Sequence, residues 1–146
     1  SAEDFSFEGC GLNDEKAKAL QEVLPRFKSA KKVDFSYNSD LSADGWRTIL
    51  QAVAASAEDF SFSDCSLNDE KAKGLQEVLP RFKSAKKVDF TRNCDLSADG
   101  WRTILQAVAA SAEDFSFGER LRCRLNDEKA KALQEVLPRF KSAKKV

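Results

Sequence analysis

The sequence predicts an α/β solenoid: a short right-handed horseshoe arc with a parallel sheet on its concave side and helices on its convex side. Three observations lead there. Residues 1–55 return as 56–110 with seven changes, and a third copy begins at Ser111 and runs to KSAKKV. Each copy contains two unlike halves that both open with Ser-Ala. Each half pairs a short alternating apolar run with an amphipathic stretch, the marks of a strand with one buried face and of a helix. A strand, a turn, a helix and a return repeated every 28 or 27 residues force parallel strands with the helices on the outer side. Helices about 10 Å wide stacked beside strands less than about 5 Å apart bend such a sheet inward.

The chain reads as one repeat domain, residues 1–146, with half-repeats 1–28, 29–55, 56–83, 84–110 and 111–141, and 142–146 opening a truncated next half. In the first half, Phe5 and Phe7 alternate as a strand does. After a turn, Asn13 offers an N-cap with Asp14 and Glu15 behind it, and Ala17, Leu20, Leu24 and Phe27 recur at helical steps. Pro25 is expected to end that helix, as are Pro80 and Pro138 in the later copies. In the second half Val33 and Phe35 form the strand, Ser42 the cap, and Trp46, Ile49, Leu50 and Val53 the apolar helix face. Trp46 and Trp101 are therefore core residues before they are a ligand-stacking pair. The fifth half departs from the pattern: FSFGERLRCRLNDE carries three extra residues, with Arg120, Arg122 and Arg124 alternating with Leu121, Cys123 and Leu125. A distorted terminal strand or loop is the first reading, an anion-binding edge the second.

Composition narrows the function. Twenty-four basic and twenty-four acidic residues cancel, so nucleic acid and anionic membranes are not expected partners. No apolar run approaches the roughly 20 residues that span a bilayer, and no leader opens the chain; a soluble protein, or the excised part of one, is expected. Histidine is absent, which removes the commonest general base and metal ligand. Carboxylates such as Asp34, Asp64 and Asp89 have no accompanying nucleophile or phosphate-cradling glycine loop, so no enzyme and no cofactor is expected. Cys10, Cys65, Cys94 and Cys123 follow the repeat and form no CxxC pair, a spacing that does not resemble a zinc site or a redox pair. They read as reduced, consistent with the cytoplasm, with Cys94 the most reactive for its place in an exposed turn.

FSFEGCGL matches the pattern LxLxxCxL with phenylalanine in the first two leucine places, and VDFSYNSDL matches LxLxxNxL with one extra residue. This alternation resembles the ribonuclease-inhibitor-like class of leucine-rich repeats across essentially the whole chain. The resemblance implies a concave parallel sheet, protein–protein recognition, and inward-facing turn ladders made by Cys10, Cys65 and Cys123 in one half and Asn38 and Asn93 in the other.

Charge and variation then mark the surface. Glu3-Asp4, Lys31-Lys32, Glu58-Asp59, Lys86-Lys87, Glu113-Asp114 and Lys144-Lys145 alternate in sign before successive strands, so parallel stacking sets each acidic pair beside a basic one. Asp14 with Lys18 and Glu22 with Arg26 are expected helix-face pairs. The seven changes are Glu8 to Ser63, Gly9 to Asp64, Gly11 to Ser66, Ala19 to Gly74, Ser36 to Thr91, Tyr37 to Arg92 and Ser39 to Cys94; all but Ala19 to Gly74 fall in strand and turn segments. The candidate protein-binding face is Ser6, Glu8, Gly9, Asp34, Ser36, Tyr37, Ser61, Ser63, Asp64, Asp89, Thr91, Arg92 and Ser116, with Tyr37 and Arg92 as anchors. Two functions compete: an engineered or idealised repeat scaffold whose near-verbatim copies serve the architecture, and a natural recognition domain or fragment with a specific protein partner. Ends of opposite charge without a polar cap add an expectation of head-to-tail self-assembly.

Overall fold

The computed structural model describes residues 3–116 and 126–140. Strands β1 (Asp4–Ser6), β2 (Lys32–Asp34), β3 (Asp59–Ser61), β4 (Lys87–Asp89) and β5 (Asp114–Ser116) lie parallel in one sheet, side by side in chain order. Helices α1 (Asp14–Val23), α2 (Ala43–Ala52), α3 (Asp69–Val78), α4 (Ala98–Ala107) and α5 (Asp127–Val136) alternate with them. The α/β solenoid is therefore as expected: one strand and one helix per half, with consecutive helices packed on one another. The inserted residues 118–124, Cys123 among them, and the segment 142–146 lie outside the described residues.

The caps work as their residue types require. Asn13, Asn68 and Asn126 accept from the backbone N–H of Lys16, Lys71 and Lys129 at 2.8, 2.9 and 2.8 Å, and Ser42 and Ser97 accept from Gly45 and Gly100 at 3.1 and 3.2 Å. The α-helices of the first halves end just before Pro25, Pro80 and Pro138, as expected, with a short addition. Helices α1, α3 and α5 each stop at a valine two residues before the proline, and Leu-Pro-Arg continues as one turn of 3-10 helix (Leu24–Arg26, Leu79–Arg81 and Leu137–Arg139). Proline sits in the first positions of that turn, where its missing N–H has no bond to lose.

Phenylalanine in the leucine places builds a continuous ring stack. Phe7, Phe35, Phe62 and Phe90 lie near-parallel with centroids 5.7, 5.8 and 5.5 Å apart, and Trp46 meets Phe35 and Phe62 edge-on at 5.5 Å each. Trp46 and Trp101 are buried core residues. The first half lacks a neighbour on its outer side among the described residues, and Val23 is 38% exposed where its counterpart Val78 is 1% exposed.

The expected Asp14–Lys18 pair gives way to a longer connection. The Asp14 carboxylate accepts from both the backbone N–H (3.0 Å) and the hydroxyl of Ser42, tying the start of α1 to the start of α2; Asp69 does the same to Ser97. The two Ser42 bonds hold the Asp14 carboxyl below its usual range. Nor do Glu22 and Arg26 form an ion pair. The corresponding glutamates of the later copies reach across to neighbouring helices, Glu77 to Arg47 and Glu135 to Arg102, because a stacked helix brings a fixed guanidinium within reach.

Candidate functional site

The strand register writes the charge pattern directly onto the outer face of the sheet. Asp4 pairs with Lys32, Lys32 with Asp59, Asp59 with Lys87 and Lys87 with Asp114, so one row alternates acid and base across all five strands. Two residues on, the row reads Ser6, Asp34, Ser61, Asp89, Ser116; the side chain of Ser116 lies outside the described ones. At the residue preceding each strand's aligned position, Glu58 bridges Lys31 at 3.3 Å and Lys86 at 3.4 Å. The hydrogen bond from Lys31, with the charge of Lys86, holds the Glu58 carboxyl below its usual range. Lys32, Asp34, Asp59, Ser61, Lys87 and Asp89 line a trough of about 320 Å³ on this face.

Beyond the strands the backbone ladder carries on into the turns. Phe7 N–H donates to Asp34 O at 2.8 Å, Gly9 N–H to Ser36 O at 3.0 Å, Tyr37 N–H to Ser63 O at 2.9 Å, and Asp64 N–H to Thr91 O at 3.0 Å. Asp34 and Asp89 each turn one carboxylate oxygen onto the N–H two residues ahead, Ser36 and Thr91, at 2.8 Å. That bond fixes both carboxylates. Hydroxyl pairs Ser36–Ser61 (2.7 Å) and Ser63–Thr91 (2.8 Å) fill the spaces between strands. Ser36, expected on the binding face, is buried to 6% exposure by this pairing, whereas Ser6 and Glu8 are exposed and Ser61, Ser63, Asp64, Asp89 and Thr91 half-buried.

The next position in each turn adopts a left-handed backbone. Gly9 (φ 62°), Tyr37 (62°), Asp64 (53°) and Arg92 (61°) form a rim row, and only glycine takes that conformation without cost. In the first-half turns a second residue does likewise, Gly11 (63°) and Ser66 (51°). This geometry brings together the two residues that sequence singled out: Arg92 Nη1 donates to Tyr37 Oη at 2.9 Å, reaching across the turn that carries Asp64. Tyr37 is 46% exposed.

Behind the rim lies the turn ladder. The Asn38 amide accepts from Leu12 N–H at 2.9 Å and donates to Phe7 O and Phe35 O at 2.8 and 2.9 Å. Asn93 accepts from Cys65 N–H and Leu67 N–H, both at 3.0 Å, and donates to Phe62 O and Phe90 O at 2.8 and 3.0 Å. Each asparagine thus satisfies the backbone of the half before it and of its own. Cys65 is buried, its thiol directed at Phe35 O at 3.1 Å, and burial pushes its pKa up to about 11. Cys10, at the same place in the first turn, is exposed where Cys65 is buried, because no neighbouring half covers it among the described residues. Cys94 is disulfide-bonded, which corrects both its expected reactivity and the expectation that all the cysteines are reduced.

Sequence reasoning missed the arginines of the Leu-Pro-Arg turns. Arg81 Nη1 donates to Leu50 O and Val53 O, and Arg139 Nη1 to Leu105 O and Val108 O, closing the carbonyl ends of α2 and α4. The signal was present as an arginine fixed one residue after each proline. Among the described residues no group of histidine, cysteine and acidic side chains is arranged to hold a metal, and no helix is long and apolar enough to cross a membrane. Chemically, this face offers alternating charge, two oriented carboxylates and a Tyr–Arg clasp.

No family model matches the sequence, and no curated protein matches it. Solved structures match by fold. The chain is similar to a tropomodulin C-terminal domain from Caenorhabditis elegans, with a TM-score of 0.69 at 18% identity, over 89% of this chain and 80% of that one. It is also similar to a chain in the yeast Rad7 and Elc1 complex, with a TM-score of 0.56 at 17% identity, over 84% of this chain and 32% of that one. The architecture is an α/β leucine-rich-repeat solenoid.

Proposed function

We propose that the chain is a non-enzymatic recognition scaffold that binds a protein partner across its concave sheet face, with Tyr37 and Arg92 as the anchors. The supporting observation is the clasp at 2.9 Å between these two side chains, each carried on a left-handed turn. Holding a non-glycine residue in that conformation costs on the order of 1–3 kcal/mol, and such strain gathers at functional positions. Tyrosine and arginine are also the residues that dominate interface hot spots, and here each restrains the other before any partner arrives. The two fold neighbours, one of them part of a complex with a second protein, fit this reading at the level of architecture.

The geometry also supplies a clean test. Tyr37→Gly and Arg92→Gly remove the side chains while relieving the backbone, so binding is expected to fall without loss of stability. A protein captured by the wild type is titrated against both variants by calorimetry; saturable binding that survives unchanged in the double variant would overturn the reading. The engineered or idealised origin is favoured by a separate observation: the helices of the copies repeat letter for letter apart from Ala19 and Gly74. Under that reading no partner is captured and the architecture itself is the purpose. Light scattering that shows a monomer at every concentration removes head-to-tail association from either.

A further inference from the structure

The row Asp4, Lys32, Asp59, Lys87, Asp114 is set in register across the sheet, yet its charges are not spent among the described residues. Lys31, Glu58 and Lys86, one residue earlier, close ion pairs with each other. Among the described residues none of the five side chains in the inner row makes a hydrogen bond or ion pair. Lys32, Asp59, Lys87 and Asp114 line the trough of about 320 Å³, with Asp4 continuing the alternation on the next strand. A lysine that overshoots its shorter aspartate neighbours leaves both signs open to a third body.

Resting on the recognition reading above, we propose that this trough takes an α-helix of a partner protein, laid across the strands, whose exposed stripe alternates lysine or arginine with glutamate or aspartate once per turn. Spacing selects the helix. Successive charges of the row lie one strand apart, about 4.8 Å. A helix presents one residue per turn to a face, about every 5.4 Å, and accumulates a mismatch of about 2.4 Å over the four strand steps, which long side chains absorb. An extended segment presents same-face residues about every 6.7 Å and runs out of register by about 8 Å. A basic residue of the helix then meets each of Asp4, Asp59 and Asp114, and an acidic one meets Lys32 and Lys87. Asp34 and Asp89, with one oxygen fixed by the turn, stand on the two lysine strands, two residues after Lys32 and Lys87, and help reject a stripe of acid alone.

The test uses two alanine-based helical peptides of about 20 residues, labelled for fluorescence anisotropy. The first carries the stripe Lys-Glu-Lys-Glu-Lys at alternating steps of four and three; the second inverts its middle three charges to Lys-Lys-Glu-Lys-Lys. The wild type is expected to bind the first more tightly than the second, by on the order of tenfold, although the second is the more basic and general attraction to an acidic face would favour it. The triple variant Lys32→Glu, Asp59→Lys, Lys87→Glu, checked for an unchanged circular dichroism spectrum, is expected to reverse the preference. Equal binding of the two peptides by the wild type, or an unreversed preference in the variant, overturns the proposal. So does failure of both peptides to bind; if a captured partner still depends on Tyr37 and Arg92, that failure leaves the recognition reading standing.

Discussion

Replacing Asn93 with alanine should be among the most damaging single changes the chain can suffer, and worse than the same change at Asn38. The Asn93 side chain is 1% exposed and accepts from two backbone N–H groups, those of Cys65 and Leu67, for which no other acceptor is at hand. It also donates to three carbonyls, Phe62 O, Phe90 O and, at 3.3 Å, Thr91 O. Alanine removes every one of these partners at once, and a buried donor without an acceptor costs about 1–3 kcal/mol. Two such donors put the loss at about 2–6 kcal/mol, a large part of the 5–15 kcal/mol that holds a typical domain together. Asn38 is also 1% exposed, but it serves one N–H, that of Leu12, and its other half-repeat is the open first one, where Cys10 is exposed. There water can replace part of what is lost, and Asn38→Ala should cost about 1–3 kcal/mol. Urea unfolding followed by tryptophan fluorescence and far-ultraviolet circular dichroism measures both, since Trp46 and Trp101 sit in successive copies. Equal costs, a larger cost at Asn38, or an Asn93→Ala loss below about 1 kcal/mol would refute the accounting of the ladder by unpaired amides.

Three further outcomes follow from the packing and the shifted titrations. Gly74→Ala should destabilise although alanine is the better helix former by about 1 kcal/mol: a Cβ there would lie 2.6 Å from Ala43 O, and separating α3 from α2 costs about 1–3 kcal/mol; a rise in melting temperature would contradict this. Asp14 has a folded pKa below its ordinary 3.8, so its bonds to Ser42 contribute fully above that value and are lost as pH falls through the depressed one; Asp14→Asn should flatten the acid limb of the stability profile, and an unchanged limb would count against the linkage. Cys65 runs the other way, raised from 9.0 to about 11. The neutral thiol is the folded form, its contribution is complete below about 9 and drains away as pH rises through the folded value, and a thiol reagent should modify Cys10 in the native protein long before Cys65. Equal labelling rates would show that the ladder is open to solvent.

The fold was legible because two independent periodicities agree. Phe5-Phe7 and Val33-Phe35 impose a two-residue period, Trp46-Ile49-Leu50-Val53 a helical one, and a repeat this short leaves no other way to bury both faces. The strand register was legible for a different reason: sign alternates from half to half, so the one arrangement that avoids like charges side by side is the observed one. Local helix rules failed where a stacked neighbour offered more. Asp14 stands four residues before Lys18, but Ser42 on the next helix gives it two directed hydrogen bonds, and an exposed ion pair worth about 0–1 kcal/mol does not compete. Ser36 was placed outside by its alternation with Phe35, and its alternation is right; it is buried because the adjacent strand brings Ser61 within 2.7 Å. Such contacts depend on which half lies alongside, information that is not local in the chain.

Backbone sign is what the sequence hid most thoroughly, and it changes the meaning of the variable turn. Gly9 and Gly11 in the first copy look like free positions beside Asp64 and Ser66 in the second, but all four are left-handed, so glycine is the residue that fits and the others are tolerated. A frame selected for stability alone would keep glycine at every rim position; each non-glycine there costs on the order of 1–3 kcal/mol. Asp64 is the mildest departure, since short polar side chains visit this region most readily. Tyr37 and Arg92 are the severe ones, and they are the two whose side chains meet across a turn in between. The rim is therefore where local preference and the rest of the molecule disagree, in a chain whose caps, strand periods and charge rows otherwise concur. Conflict gathered in the turns, with Ser66 one step behind the rim row, beside a face of unspent charge, is the pattern expected where a surface has been shaped for contact and not for folding.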